Sequence, residues 1–284
     1  MTDKSETAPV ETPSLGAAIM MLLRMRGVME VLVPLATLIV FLIAWDTTVR
    51  VNNIPPYILP RPWDVVTTFV TDWPILWDAL QITLLITFSA LLLAIVGGAL
   101  TALLFAQSRW AEIALYPYAV VLQVTPIVAI APLLIVYAPS TEAVLLICAF
   151  LVAFFPILSN TVQGLKSADH NLVDLFELYG ASKSQQLRLL KIPTALPYFV
   201  AGLNIAGGLA LIGSVVAEFT AGAAGSKAGL AFRILEAGRR LNIPRLFAAL
   251  LLITLTGVAI FILTSFISKL LLRRWHESAM TRER

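Results

Sequence analysis

Little in this sequence can do chemistry. It has one cysteine, Cys148, and two histidines, His170 and His276. A single cysteine excludes a disulfide within the chain, and this one lies in an apolar run from Leu145 to Leu151, where it reads as a small packing residue. Neither histidine has a metal-ligand companion at useful spacing, so no metal site is assigned. No Gly-x-x-x-x-Gly-Lys-Ser/Thr loop occurs, so the chain is not expected to cradle ATP phosphates in that manner, and no cofactor is assigned. Charge is scarce as well: Asp, Glu, Lys and Arg make up 13% of the residues, where a soluble domain carries about 25%. In their place 59% of the chain is hydrophobic and the mean hydropathy is +0.88. Lipid, not water, is the solvent this composition suits, and a soluble globular protein is excluded. The net charge of +3 follows from Lys and Arg kept in cytoplasmic loops and does not imply nucleic acid.

The apolar residues fall into runs long enough to cross a hydrocarbon core of about 30 Å, which takes roughly 20 helical residues. Six spans are expected, giving an all-α polytopic membrane protein. They run from about Val28 to Trp45, Leu80 to Phe105, Leu115 to Tyr137, Ala143 to Val162, Tyr198 to Phe219 and Leu246 to Leu272. Pro117, Pro126 and Pro132 interrupt the third and Pro156 lies in the fourth, so neither is expected to be straight. Residues 1–27 form an N-terminal tail, polar over 1–16, and 276–284 a C-terminal tail. The first apolar run has no cleavage pattern and reads as an uncleaved span.

Placing both termini inside puts 13 of the 20 Lys and Arg on the cytoplasmic side and seven outside. That bias favours a multi-pass protein of the bacterial inner membrane with both tails in the cytoplasm. One exception stands out: five of the seven outer cations (Lys227, Arg233, Arg239, Arg240, Arg245) precede span six. They could dock an acidic protein or touch interfacial lipid. Residues 46–79, rich in Pro and Trp, are expected to form a short helix at the outer interface.

The cytoplasmic loop 164–197 is too long to be a mere connector. Asp169 or Asn171 can cap a helix whose first turns carry Asp174 and Glu177. Leu172, Leu175, Phe176 and Tyr179 make an apolar stripe on it. Gly180 then breaks the helix, and Ser182 can cap a second one that carries Lys183, Arg188 and Lys191 and stops before Pro193. Two amphipathic helices at a glycine hinge form a ridge suited to docking a soluble partner.

This segment resembles the coupling loop of binding-protein-dependent ABC importer permeases, Glu-Ala-Ala, three residues, Gly, nine residues, Ile-x-Leu-Pro. Asp174 stands at the acidic position, Gly180 at the glycine, and Leu190-Lys191-Ile192-Pro193 at the close. Gly180-Ala181-Ser182, Tyr57-Ile58-Leu59-Pro60-Arg61-Pro62, Phe154 to Thr161 and Ala217-Glu218-Phe219 are similar to the nitrate/taurine/sulfonate-type branch. The chain departs from that pattern where Leu175 and Phe176 replace the alanines and Asp174 the glutamate. It departs again at Val136-Tyr137-Ala138-Pro139 and in the longer stretch Gly222 to Gly229.

The resemblance implies a type I permease domain over 28–275, two copies of which form a homodimer. ATP-binding cassette ATPase subunits would grip the coupling loop through Asp174, Glu177, Gly180, Ala181, Ser182 and Pro193. A periplasmic solute-binding protein would deliver the solute. The chain itself would be no enzyme, and ATP-driven motion would switch the spans between outward and inward access.

Polar residues within spans are costly and tend to face cavities or neighbouring helices. Gln123, Thr125, Asn160, Thr161, Asn204, Ser214 and Glu218 are the candidates for a solute path. For the Ser and Thr members helix-to-helix hydrogen bonding is favoured, and Glu218, at a span end, is expected to reach the interface. Gly207, Gly208 and Gly213 are expected to permit close helix approach. Gly222, Gly225 and Gly229 read as a flexible linker or an anion-cradling loop. An ion-coupled secondary transporter is the rival reading, and Glu218 is the one acid in a span that it could use. Among solutes, a pyrimidine vitamin precursor or related heterocycle ranks first, then a sulfonate such as taurine, then nitrate.

Overall fold

A computed structural model of the chain describes residues 26–221 and 228–273, so positions 1–25 of the expected N-terminal tail, the C-terminal tail and the glycines Gly222 and Gly225 lie outside the described residues. Among the described residues the regular structure is helical throughout. The chain divides at Asp64 into two units. The first contains α1 (Arg26–Val51), which is apolar along its length and holds Pro34.

Short helix α2 (Pro62–Thr71) begins at the junction. The second unit continues with α3 (Trp73–Gln107), α4 (Arg109–Val124), α5 (Ile127–Tyr137) and α6 (Thr141–Lys166). After them come α7 (His170–Leu178), α8 (Lys183–Gln186), a π-helical turn (Leu187–Lys191) and α9 (Ile192–Ala221). Helices α10 (Leu230–Arg239) and α11 (Ile243–Leu272) complete it.

Five helical stretches are long and apolar enough to cross a membrane: α1, α3, α6, the continuous run Lys183–Ala221, and α11. The expected third span is two helices, α4 and α5, bent by 104°. The break falls at Thr125 and Pro126, both extended. A residue before proline is pushed out of the helical region, and Pro126 has no N–H for the Leu122 carbonyl. Pro117 and Pro132 stay inside α4 and α5. Trp73 and Trp77 belong to α3, where Pro74 suits the first turn, and the expected short helix within 46–79 is the stretch 62–71.

Helices α3, α6 and α9 form the centre, with three apolar layers stacked along them. One layer joins Ile86, Val144, Leu145, Cys148 and Ala217; the next Leu91, Ala153, Ile157 and Leu203; the last Phe105, Leu158, Leu165 and Ala195. Alanine is frequent because lipid gives no hydrophobic drive between helices, so association rests on close backbone approach. At Gly202 a methyl group would lie 2.7 Å from the Pro156 carbonyl oxygen, and at Gly213 it would lie 2.9 Å from Ala149 Cα. Gly207 faces Thr264 in the same way, whereas Gly208 faces open space and has no part in the seam.

Candidate functional site

The coupling segment builds itself from local hydrogen bonds. Asp169 caps α7, its carboxylate accepting from the Asn171 N–H at 2.9 Å. The helix ends at Leu178, just before Gly180, so Asp174 lies mid-helix and Glu177 in the last turn rather than at the favoured N-terminal end. Gly180 stops it at φ +68°, a left-handed conformation open to glycine at no steric cost. Ser182 then forms a capping box with Gln185: Ser182 Oγ accepts from the Gln185 N–H, and Gln185 Oε1 accepts from the Ser182 N–H at 2.7 Å.

The second coupling helix does not stop before Pro193. It slips by one residue into a π turn, in which the Ile192 N–H donates to the Leu187 carbonyl, and runs on into α9. The slip absorbs the N–H that Pro193 lacks, and the Thr194 hydroxyl donates to the Leu190 carbonyl at 2.8 Å. On α7 the apolar side chains Leu172, Leu175 and Leu178 stay exposed, as does Tyr179 after it. Asp174, Glu177 and Ser182 are exposed too, and Ala181 is half-buried. Beside them a cleft of about 720 Å³ is lined by Arg109, Glu177, Lys183, Arg188 and Lys191.

Of the path candidates, the structure brings two together. Gln123 and Thr125 line a cleft of about 410 Å³ at the α4–α5 bend, with Val152 and Pro156 of α6 and Gly213 and Val216 of α9 opposite. The lining carries no Asp, Glu, Lys or Arg. Asn160 Nδ2 donates to the Pro156 carbonyl at 2.9 Å, and the buried Thr161 hydroxyl donates to the Ile157 carbonyl at 2.6 Å. Asn204 Oδ1 accepts from Ser268 Oγ at 2.9 Å, tying α9 to α11. Ser214 Oγ lies 3.0 Å from Thr87 Oγ1, tying α9 to α3.

Glu218 corrects an expectation. Instead of reaching the interface it is 0% exposed. Thr83 Oγ1 donates to its Oε1 at 2.8 Å, and the Ala231 N–H donates to its Oε2 at 2.9 Å. The Leu230 N–H donates in turn to Thr83 Oγ1 at 2.9 Å. Both carboxylate oxygens are therefore engaged, and Glu218 does not line the cleft. Sequence reasoning overlooked Thr83 and Thr87, though two threonines four apart inside a span were a visible sign.

Of the five cations that precede span six, three pair with carboxylates, and Lys227 lies outside the described residues. Arg233 Nη1 donates to Glu236 Oε2 at 2.9 Å, Arg240 pairs with Glu236 at 3.0 Å, and Arg245 Nε donates to Asp72 at 2.6 Å. The hydrogen bond from Arg233, with the positive charges of Arg233, Arg240 and Arg245, holds the Glu236 carboxyl below the ordinary carboxylate range. At the coupling end Lys166 pairs with Glu112.

Comparison with known proteins agrees with this architecture. Residues 94–277 match the family described as binding-protein-dependent transport system inner membrane component. The riboflavin transport system permease protein RibX of Chloroflexus aurantiacus is 32% identical over 251 residues, covering 85% of this chain and 89% of RibX. The formylaminopyrimidine transport permease protein ThiX of Halalkalibacterium halodurans is 32% identical over 235 residues, 82% of this chain and 92% of ThiX. A crystal structure of an amino acid ABC transporter with histidines superposes with a TM-score of 0.59 at 17% identity, covering 73% of this chain and 97% of that one, and shows the shared fold. The chain belongs to the binding-protein-dependent inner-membrane components: it is an ABC importer permease subunit, a multi-pass bacterial inner-membrane protein that works with ATPase and binding-protein partners and is not itself an enzyme.

Proposed function

We propose that two copies of this chain form an alternating-access path for a small nitrogen heterocycle, driven by ATPase subunits that grip α7 and α8. The observation that carries the reading is the unbroken helix Lys183–Ala221, which makes the coupling element and a central span one lever. The ATPase would seat on the exposed apolar residues of α7, with Asp174 and Glu177 as polar contacts and Gly180 as the hinge. ATP-driven closure of that partner would tilt α9 against α6 and open or shut the Gln123–Thr125 cleft. An uncharged lining supports a solute held by hydrogen bonds and apolar contact over a permanently anionic sulfonate or nitrate. Two of the relatives at 32% identity are named for riboflavin and formylaminopyrimidine, both nitrogen heterocycles.

The test is ATPase activity of the permease reconstituted in proteoliposomes with its ATPase and binding protein. Binding protein loaded with a heterocycle should stimulate hydrolysis, and Gly180→Pro should reduce that stimulation at least tenfold while the permease stays folded. Stimulation by taurine or nitrate alone would overturn the solute class. Uptake that follows a proton or sodium gradient, with no coupled ATPase, would overturn the whole reading.

A further inference from the structure

The outer helix α10 has an end that its own sequence does not finish. Its N-cap is Gly229, which has no side chain to offer the first-turn N–H groups. Two of those donors are satisfied by other helices: the Leu230 N–H by Thr83 of α3, and the Ala231 N–H by Glu218 of α9. Thr83 also donates to Glu218, so three helices share one closed set of hydrogen bonds with no exposed atom on the carboxylate residue. Gly229 makes this possible, because a methyl group there would occupy the position of the Glu218 carboxylate. One turn along the same pair of helices, Ser214 and Thr87 add a second link.

The remainder of α10 is two-faced. Leu230, Ala231 and Ala237 are buried, whereas Arg239 and Arg240 are exposed and Arg233 and Glu236 are partly so. Helix α9 runs without interruption from Ile192 to Ala221, so Glu218 stands at one end of the lever and the coupling element at the other.

We propose that Glu218 is a positioning residue that locks α10 to the end of α9, so that a load placed on α10 by the binding protein reaches the coupling helices. The proposal rests on the importer reading above. Hydrogen bonds suit this task better than apolar contact: they are directional, and at a buried site the freed N–H groups would find no water to replace them. A helix held by packing alone could slide along α9 without moving it.

The full transporter, permease with ATPase and binding protein in nanodiscs, provides the test. Basal and binding-protein-stimulated ATPase rates are compared for wild type, Glu218→Gln, Thr83→Val and Thr83→Ser. Amide exchange over 230–233 is read in parallel. The expected result is a basal rate within twofold of wild type, stimulation reduced at least tenfold in Glu218→Gln and Thr83→Val, and faster exchange over 230–233. Thr83→Ser, which restores the hydroxyl, should restore the stimulation. If Glu218→Gln does not assemble, the Thr83 pair alone decides the matter.

Wild-type stimulation in Thr83→Val with amide protection lost would overturn the proposal. So would basal and stimulated rates that fall together and are not rescued by Thr83→Ser, since that is simple structural damage. A raised solute KM with full maximal stimulation would make Glu218 a solute contact instead. Absence of stimulation in the wild type is a different failure, which removes the importer reading and this proposal with it.

Discussion

The two ends of the Lys183–Ala221 helix are held in opposite ways. At the coupling end the caps and turns are local: Asp169 to Asn171, Ser182 to Gln185, Thr194 to Leu190, with Gly180 at φ +68° between the two short helices. Leu172, Leu175 and Leu178 there are left exposed. At the outer end the interactions meet at Thr83 and join residues 135 and 147 positions apart, and the Glu218 carboxylate among them is fully buried. An element that another protein must grip has to keep its surface free and take its shape from its own backbone. An element that must follow a moving span has to be fastened to it by tertiary contacts. Damage to the outer end should therefore cost folded permease, and damage to the coupling end should cost coupling with the fold intact.

The largest expected effect tests the first half. Gly229→Ala forces the Glu218 carboxylate off Ala231, leaving buried polar groups without partners. Such a loss costs about 3 kcal/mol. The yield of monodisperse permease on a thermal ramp in detergent should drop before any ATPase is added, and an unchanged ramp would break the comparison. The second half is tested by Gly180→Ala. A methyl group at Gly180 meets nothing within 4 Å, so the penalty is backbone strain alone. That strain is about 1–2 kcal/mol for a left-handed residue. The thermal ramp should match wild type, binding-protein stimulation should fall, and Gly180→Asn, which tolerates this conformation better, should fall less.

The same contrast decides what could be read from the sequence. The coupling segment was legible because caps, a glycine stop and an apolar stripe follow one another within 25 residues, and each is a local rule. Even there the helix register was not. That Glu177 falls in the last turn of α7, and that the chain passes Pro193 through a π turn, depends on where α6 ends and α9 must begin. The spans were legible from apolar length, but the 104° bend was not. Three prolines invited a break, and only the one at Thr125–Pro126 made it. Glu218 was misread because nothing near it in sequence announces Thr83. Its neighbours in space come from α3 and α10, and pairing across 135 residues leaves no period to detect.

Smaller effects sharpen the picture. Ser182→Ala removes one half of the capping box and should cost about 1 kcal/mol. All of it should appear as faster amide exchange at Gln185 and in α8, with α10 unchanged. Faster exchange in α10 would mean that the two ends are not independently built.

The weakest expected effect lies at Glu236, where the outer helix meets water. Its carboxyl pKa is depressed by the Arg233 hydrogen bond and by the positive charges around it. A group whose folded pKa lies below its unfolded value contributes stability above the unfolded pKa and loses it as pH falls through the folded one. The Arg233 and Glu236 side chains are 20% and 22% exposed, while Arg240 is 69% exposed, so water screens the second pair more than the first. A contribution of about 0.5 kcal/mol is expected. The thermal midpoint of wild type should exceed that of Glu236→Gln at neutral pH. The gap should stay constant down to the ordinary carboxylate range and close only below it, as the depressed group finally takes up its proton. A gap that closed at or above that range would mean that Arg233 does not hold the carboxylate in solution, and that α10 depends on Glu218 and Thr83 alone.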